Sequence, residues 1–298
     1  MPTEPLIVQP GTESLIDEEL AGLDHLEVHT GRAVPRWLRA WNAFWPKVAA
    51  LSLLVGVWQV LVWVEWKPRF LLPAPLDVWQ RLVDDLGTAR LWQAVGTTMQ
   101  RAVLGFLLAL VVGTLVGLAV TASRHVRSAI GSLLAGLQTM PSIAWFPLAI
   151  LLLGLSEDAI MFVVVLGAAP AIANGFIGGI DSSPPLLRRA GRSMGAGRVG
   201  LYRDFLVPAA MPSLVSGLKL GWAFAWRSLM AGELLVMIPG TQSLGRRLEF
   251  AREFSDAKGV LAAMIVIAFI GIVMDSLVFS RLERRVLRTR GLGAGAGR

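Results

Sequence analysis

Six apolar stretches, spanning residues 48–64, 102–122, 129–153, 159–179, 209–229 and 259–280, are parted by short charged segments, and this pattern leaves few folds open. Inside a lipid core every backbone N–H and C=O must find its partner within its own segment, so stretches of this length and composition become helices. With 54% apolar and only 16% charged residues among 298, the chain has too little polar surface to close as an ordinary soluble globule. The predicted fold class is therefore all-α, a polytopic membrane protein with six transmembrane helices.

The charges in the connecting segments set the expected orientation. Arg124 and Arg127 follow the second stretch, five arginines (Arg188, Arg189, Arg192, Arg198 and Arg203) follow the fourth, and Arg281, Arg284, Arg285, Arg288 and Arg290 follow the sixth. The turn at residues 154–158 carries Glu157 and Asp158 and no basic residue. Basic segments stay on the cytoplasmic side, so the pattern predicts both termini cytoplasmic in a multi-pass protein of the bacterial cytoplasmic membrane. A net charge of +7 is explained by this placement, with no need for nucleic acid as a partner.

Residues 1–30 are acidic and lack the basic start and apolar core of a cleavable signal. They read as a cytoplasmic tail, and residues 1–46 as that tail plus an interfacial helix on which Trp37, Trp41 and Trp45 share one face. Residues 47–290 form the expected membrane domain and 291–298 a flexible C-terminal tail. Residues 65–101, with Pro68, Pro73 and Pro75, read as an external connector carrying a polar helix near residues 77–91. His25 and His29 are four apart but lack the glutamate of a His-Glu-x-x-His site, cysteine is absent, and no metal is expected.

Small residues and prolines qualify the spans. Gly113 and Gly117, and again Gly217 and Gly221, have the four-residue spacing that lets helices approach closely in lipid. Pro141 and Pro147 in the third span and Pro170 in the fourth each remove a backbone hydrogen bond, which is tolerated where a helix lines protein or a water-filled cavity.

The arginine-rich loop contains Arg189-Ala190-Gly191, then Gly195, then Phe205-x-Val207-Pro208. Small residues permit another surface to approach the backbone, Leu201, Tyr202, Phe205 and Leu206 recur at helical intervals as an apolar anchor, and Pro208 and Pro212 are expected to mark where the next span begins. The spacing resembles the EAA motif, EAA-x3-G-x9-I-x-L-P, of permease subunits of ABC importers, with Arg189 in place of the motif's glutamate. Three further stretches look like permeases of the nitrate, sulfonate, taurine and bicarbonate group: Leu71-Leu-Pro73-Ala-Pro75, Met140-Pro141-Ser-Ile-Ala-Trp145-Phe-Pro147, and Ala225-Trp226-Arg227-Ser-Leu-Met-Ala-Gly-Glu233.

The resemblance implies a type I ABC importer permease fold in which the loop (Arg189, Ala190, Gly191, Gly195, Leu201, Phe205, Pro208) couples to an ATPase. It implies a second permease copy as homodimer partner, two cytoplasmic ATPase subunits, and an extracytoplasmic solute-binding protein, all in a lipid membrane. The chain contains no Gly-Lys pair and so no phosphate-binding Walker loop; no cofactor is expected on it, with ATP and Mg belonging to the partner.

Charges and amides inside spans are the candidate pathway residues, because a charge at membrane depth costs about 2.5–3.5 kcal/mol on insertion scales. Lys219 and Arg227, separated by about 80° around one helix, would offer positive potential to an anion. The competing readings place Lys219 snorkelling to one surface and Arg227 paired with Glu233. Gln138, Ser142 and Asn174 lie in proline-bearing helices and either line the same route or bond neighbouring helices. The expected cargo is a small anion, an aliphatic sulfonate or taurine first, with nitrate, bicarbonate or a pyrimidine-type solute as alternatives. A secondary transporter would need an ion-coupling carboxylate, for which Asp275 is the candidate. An intramembrane enzyme would need paired carboxylates or histidines, which the spans lack.

Overall fold

The computed structural model describes residues 36–289, and its contacts divide the chain into two units that meet between Val60 and Leu61. The acidic tail, both of its histidines, Arg290 and the tail 291–298 lie outside the described residues. Helix α1 (Arg36–Trp63), all but its last three residues in the first unit, joins the tryptophan-bearing segment and the first apolar stretch into one helix that runs through Pro46.

In the second unit the segment expected as an external connector holds two helices, α2 (Pro75–Leu86) and the beginning of α3 (Ala89–Ala122). At 34 residues α3 is about 51 Å long, well beyond a lipid core of about 30 Å, so its first turns stand clear of the apolar layer. The third stretch does not cross straight. Helix α4 (Arg124–Thr139) stops at Pro141, which has no N–H to donate and holds Met140 extended at φ −77°, ψ 129°. A 3₁₀ turn (Ser142–Trp145) and α5 (Phe146–Leu153) then leave at 103° to α4.

Helix α6 (Glu157–Asp181) is the central element, with 56% of its most apolar window buried against neighbours. Past it come α7 (Pro185–Ser193), a short turn, and an unbroken helix from Arg198 to Leu235, made of α8 (Arg198–Gly200), a π-helical turn (Leu201–Leu206) and α9 (Val207–Leu235). Sequence reasoning placed a boundary at Pro208 and Pro212, and the structure places none there. In the π turn the N–H of Val207 reaches back five residues to Tyr202, which widens the backbone just where the Pro208 ring would otherwise meet the carbonyl of Asp204. Helix α10 (Leu244–Glu253) matches the short external helix expected there, and α11 (Ala257–Met274) continues through a π turn (Asp275–Phe279) into α12 (Ser280–Thr289).

Among the described residues, four helices are long and apolar enough to cross a membrane, and the bent pair makes a fifth. The remaining expected span, 209–229, corresponds to α9, which has the length but carries Lys219, Arg227 and Glu233. All described elements are helical, in keeping with the predicted class.

Glycines bring the helices together as their spacing predicts. A Cβ added at Gly217 would lie 2.6 Å from the Cα of Gly175, and one at Gly113 would lie 2.6 Å from the carbonyl oxygen of Ala169. The α6–α9 contact is thus backbone against backbone, which a membrane interior rewards because lipid offers apolar side chains no better environment than other lipid. Gly217→Val is expected to prise α9 from α6 and cost about 2–4 kcal/mol, at the upper end of overpacking, read as loss of monodisperse protein on heating in detergent.

Candidate functional site: two cavities and a basic loop

The bend at Pro141 opens space that an unbroken helix would fill. A cavity of about 300 Å³ forms between the bend, α6 and α9, with Gln138, Ser142, Trp145, Phe224 and Arg227 among its lining residues. Arg227 projects from α9 with its Nε donating to the Ala223 carbonyl at 3.0 Å and its guanidinium 4.7 Å from the Phe224 ring centroid. No carboxylate among the described residues lies within ion-pair distance of it. The competing reading, an Arg227–Glu233 pair, is not met, because the Glu233 carboxylate is held by Arg101 and Thr98 instead.

A second cavity, of about 520 Å³, lies toward the arginine-loop end between α6, α9 and α12, and Asn174, Ser213 and Glu283 line it. Gln138 borders both cavities. Its Oε1 accepts a hydrogen bond from the Asn174 Nδ2 at 2.8 Å, so a single amide pair stands where the two spaces adjoin. The pair thus bonds two helices and borders the cavities. Lys219 borders neither cavity; its Nζ lies 3.6 Å from Asp275 and 3.8 Å from Glu283. That contact offsets its charge and equally occupies Asp275, the carboxylate a secondary transporter would have used.

The site that sequence reasoning missed is a buried polar knot at the opposite end. Glu233 is 2% exposed; its Oε1 accepts from the Arg101 Nη1 at 3.0 Å and its Oε2 from the Gly245 backbone N–H at 3.0 Å. Thr98 donates to the same carboxylate at 2.9 Å and accepts from the Leu244 backbone N–H at 3.0 Å. Arg101 also holds Glu157, at the start of α6, through Nε at 2.8 Å and through Nη2. Four elements, α3, α6, α9 and α10, are tied by one fully satisfied network. The signal available in the sequence was an ionisable residue at the edge of each apolar stretch; the pairing needed the three-dimensional arrangement.

The arginine-rich loop is built on a helix stop. Gly195 adopts φ +76°, its N–H bonds the Arg192 carbonyl at 3.0 Å, and the Ala196 N–H bonds the Gly191 carbonyl at 3.0 Å. This is the Schellman arrangement, in which glycine takes the left-handed position after the helix. Gly191 is buried, and a Cβ there would lie 2.7 Å from Leu201. Leu201, Phe205 and Leu206 turn inward onto Phe176, Ile180 and Ala210, while Pro208 is half-buried as α9 begins. The apolar anchor expected from Leu201 and Phe205 therefore faces this chain's own helices. The side chains left outward are Leu186, Met194 and Val199, at 72%, 76% and 80% exposure, beside exposed Arg189 and half-buried Ala190.

A polytopic helical chain with this loop and these cavities matches, over residues 91–288, the model of the binding-protein-dependent transport system inner membrane component. The chain belongs to that family. The taurine transport system permease protein TauC of Escherichia coli is 29% identical over 260 residues, covering 83% of this chain and 93% of that protein. The nitrate import permease protein NrtB of a Synechocystis strain is 27% identical over 247 residues, covering 78% and 87%. Among solved structures, an inward-facing form of the MetNI methionine ABC transporter superposes with a TM-score of 0.57 at 20% identity, over 66% of this chain and 96% of that one, a likeness of fold.

The chain is thus an ABC importer permease subunit of the inner membrane for a small solute, resembling the sulfonate, taurine and nitrate group. Such a subunit has no ATPase site of its own, and its family implies an ATPase and a solute-binding protein as partners. No group of three or more His, Asp or Glu residues among the described residues is placed to hold a metal.

Proposed function

We propose that this chain forms, with a second copy of itself, the translocation pathway of an importer for a small organic anion, and that taurine or another aliphatic sulfonate is its cargo. The observation that carries the reading is Arg227, a guanidinium with no carboxylate among the described residues at ion-pair distance, at the wall of a cavity of about 300 Å³. A fixed positive charge in a confined space of low dielectric attracts an anion far more strongly than the same charge in water. Phe224 and Trp145 add the apolar wall that a short alkyl chain requires, and Gln138 and Ser142 the hydrogen-bonding groups that orient it. The taurine permease relative supports the choice of cargo. The nitrate permease relative supports inorganic anions as the second reading.

The membrane domain covers residues 47–290, with the arginine loop and both termini in the cytoplasm, where two ATPase subunits dock on the loop and ATP and Mg are bound by those subunits. The solute-binding protein delivers cargo at the Glu157 end. Residues Arg189, Ala190 and Gly195 form the coupling surface, with buried Gly191 packed beneath it against Leu201 and Phe205, and Gln138, Asn174 and Arg227 form the route; Lys219 is engaged by two carboxylates away from both cavities.

Arg227→Gln removes the charge and keeps much of the length. In proteoliposomes holding the whole complex it is expected to lower ATP-driven taurine uptake by at least about tenfold, the loss of one charge-assisted contact of about 1.5–3 kcal/mol, while Arg227→Lys keeps a measurable part. Unchanged uptake by an assembled Arg227→Gln complex would remove Arg227 from the route.

A further inference from the structure

Next to the basic loop, α3 and the helix that begins at Arg198 enclose a groove of about 510 Å³ that neither cavity of the pathway reaches. Ala119 and Ala122 form one wall, Val199 and Val207 the other, and Arg198 and Arg203 stand at its rim. Tyr202 ties the walls together by donating its hydroxyl proton to the Thr121 carbonyl at 2.9 Å. Arg198 has no carboxylate within ion-pair distance among the described residues. Arg203 meets only its neighbour Asp204, at 3.8 Å with its side chain 85% exposed, a contact that water largely screens.

The groove continues a lipid-facing surface. Leu104, Leu108, Val111 and Leu115 are exposed on α3 at intervals of three and four residues, and the same face runs on through Ala119 and Ala122 into the groove. An apolar stripe of a membrane helix therefore ends beside two arginines, Arg198 with no carboxylate partner among the described residues and Arg203 with only a weak, exposed one, where the span gives way to charged sequence. This is the chemistry of an anionic phospholipid, its acyl chain along the stripe and its phosphate between the guanidinium groups.

We propose that this groove is a binding site for an anionic phospholipid, bridging α3 and the first turn of the coupling helix. The proposal rests on the membrane location of the chain and not on the identity of its cargo.

The chain has no cysteine, so Ala119→Cys gives a unique attachment point for a fluorophore at the groove. The labelled chain, in its complete complex in phosphatidylcholine nanodiscs, is titrated with brominated phosphatidylglycerol or brominated phosphatidylcholine as quencher. The expected result is half-maximal quenching at a phosphatidylglycerol fraction on the order of tenfold lower than for phosphatidylcholine, from two arginines near the headgroup. Arg198→Gln with Arg203→Gln should abolish the difference, and Arg198→Lys with Arg203→Lys should keep it, which separates charge from folding. The proposal is overturned if both lipids quench at the same fraction, if the preference survives the double glutamine change, or if neither lipid quenches because a protein surface covers the groove. Relief of quenching by inorganic phosphate in solution would likewise overturn it, in favour of a free-anion site.

Discussion

Glu233→Ala is expected to leave little chain that survives extraction as monodisperse protein. The change strands Arg101 with one partner, and it removes the acceptor for Thr98 and for the Gly245 N–H, all in a site where Glu233 is 2% and Arg101 5% exposed. Breaking a buried pair from one side costs up to about 3–5 kcal/mol, lessened here by the contact that Arg101 keeps with the half-exposed Glu157. Glu157→Gln should be much milder, because the Glu157 side chain is 47% exposed and water takes its place. Removing both charges together, as Arg101→Met with Glu233→Met, should recover much of the loss, as apolar replacement of a buried pair is often near neutral. The check is the temperature at which half the detergent-solubilised protein is lost from the monodisperse peak. A Glu233→Ala chain as heat-resistant as its parent would mean that the network contributes nothing to holding α3, α6, α9 and α10 together.

Gly195→Trp is expected to insert normally and yet to lose ATP-driven uptake by more than about tenfold, with less ATPase recovered alongside it. Two costs combine at this position. At φ +76° a residue with a Cβ pays about 1–2 kcal/mol for the left-handed conformation, and the indole then projects from a Cβ position with no described residue beyond its chain neighbours within 4 Å. Gly195→Asn is the discriminating control, because asparagine accepts the left-handed region and adds little bulk. If the loop docks into a partner, Asn should retain most of the uptake and Trp should not. Equal, parental behaviour of both would show that the arginines serve topology alone and that the outward Leu186 and Met194 touch no ATPase.

Much of the architecture was legible because lipid reduces the choices. Long apolar stretches had to be helices, and the glycine pairs Gly113/Gly117 and Gly217/Gly221 announced the close contacts that α6 makes on both sides. The bend at Pro141 was visible as a proline but not as a turn of 103°, since a proline inside a span kinks it or breaks it according to what its neighbours leave unfilled. The helix through Pro208 was hidden for a related reason: only the π turn at Leu201–Leu206 makes room for the ring. In the loop, local spacing singled out Gly195, where the helix stops, but could not tell that Leu201 and Phe205 pack on this chain's own helices. Periodicity shows that residues share a face; it does not say whose surface that face meets. The pairing of Arg101 with Glu233, 132 residues away in the chain, left no local trace at all.

The most direct measurement is solute accumulation in proteoliposomes that hold this chain, with the ATPase subunit and the binding protein supplied or omitted one at a time, using taurine, ethanesulfonate and nitrate as cargo. The account predicts accumulation of at least one of these anions only when the chain, the ATPase and internal or external ATP on the ATPase side are all present. Accumulation driven by an ion gradient with the ATPase left out would contradict it.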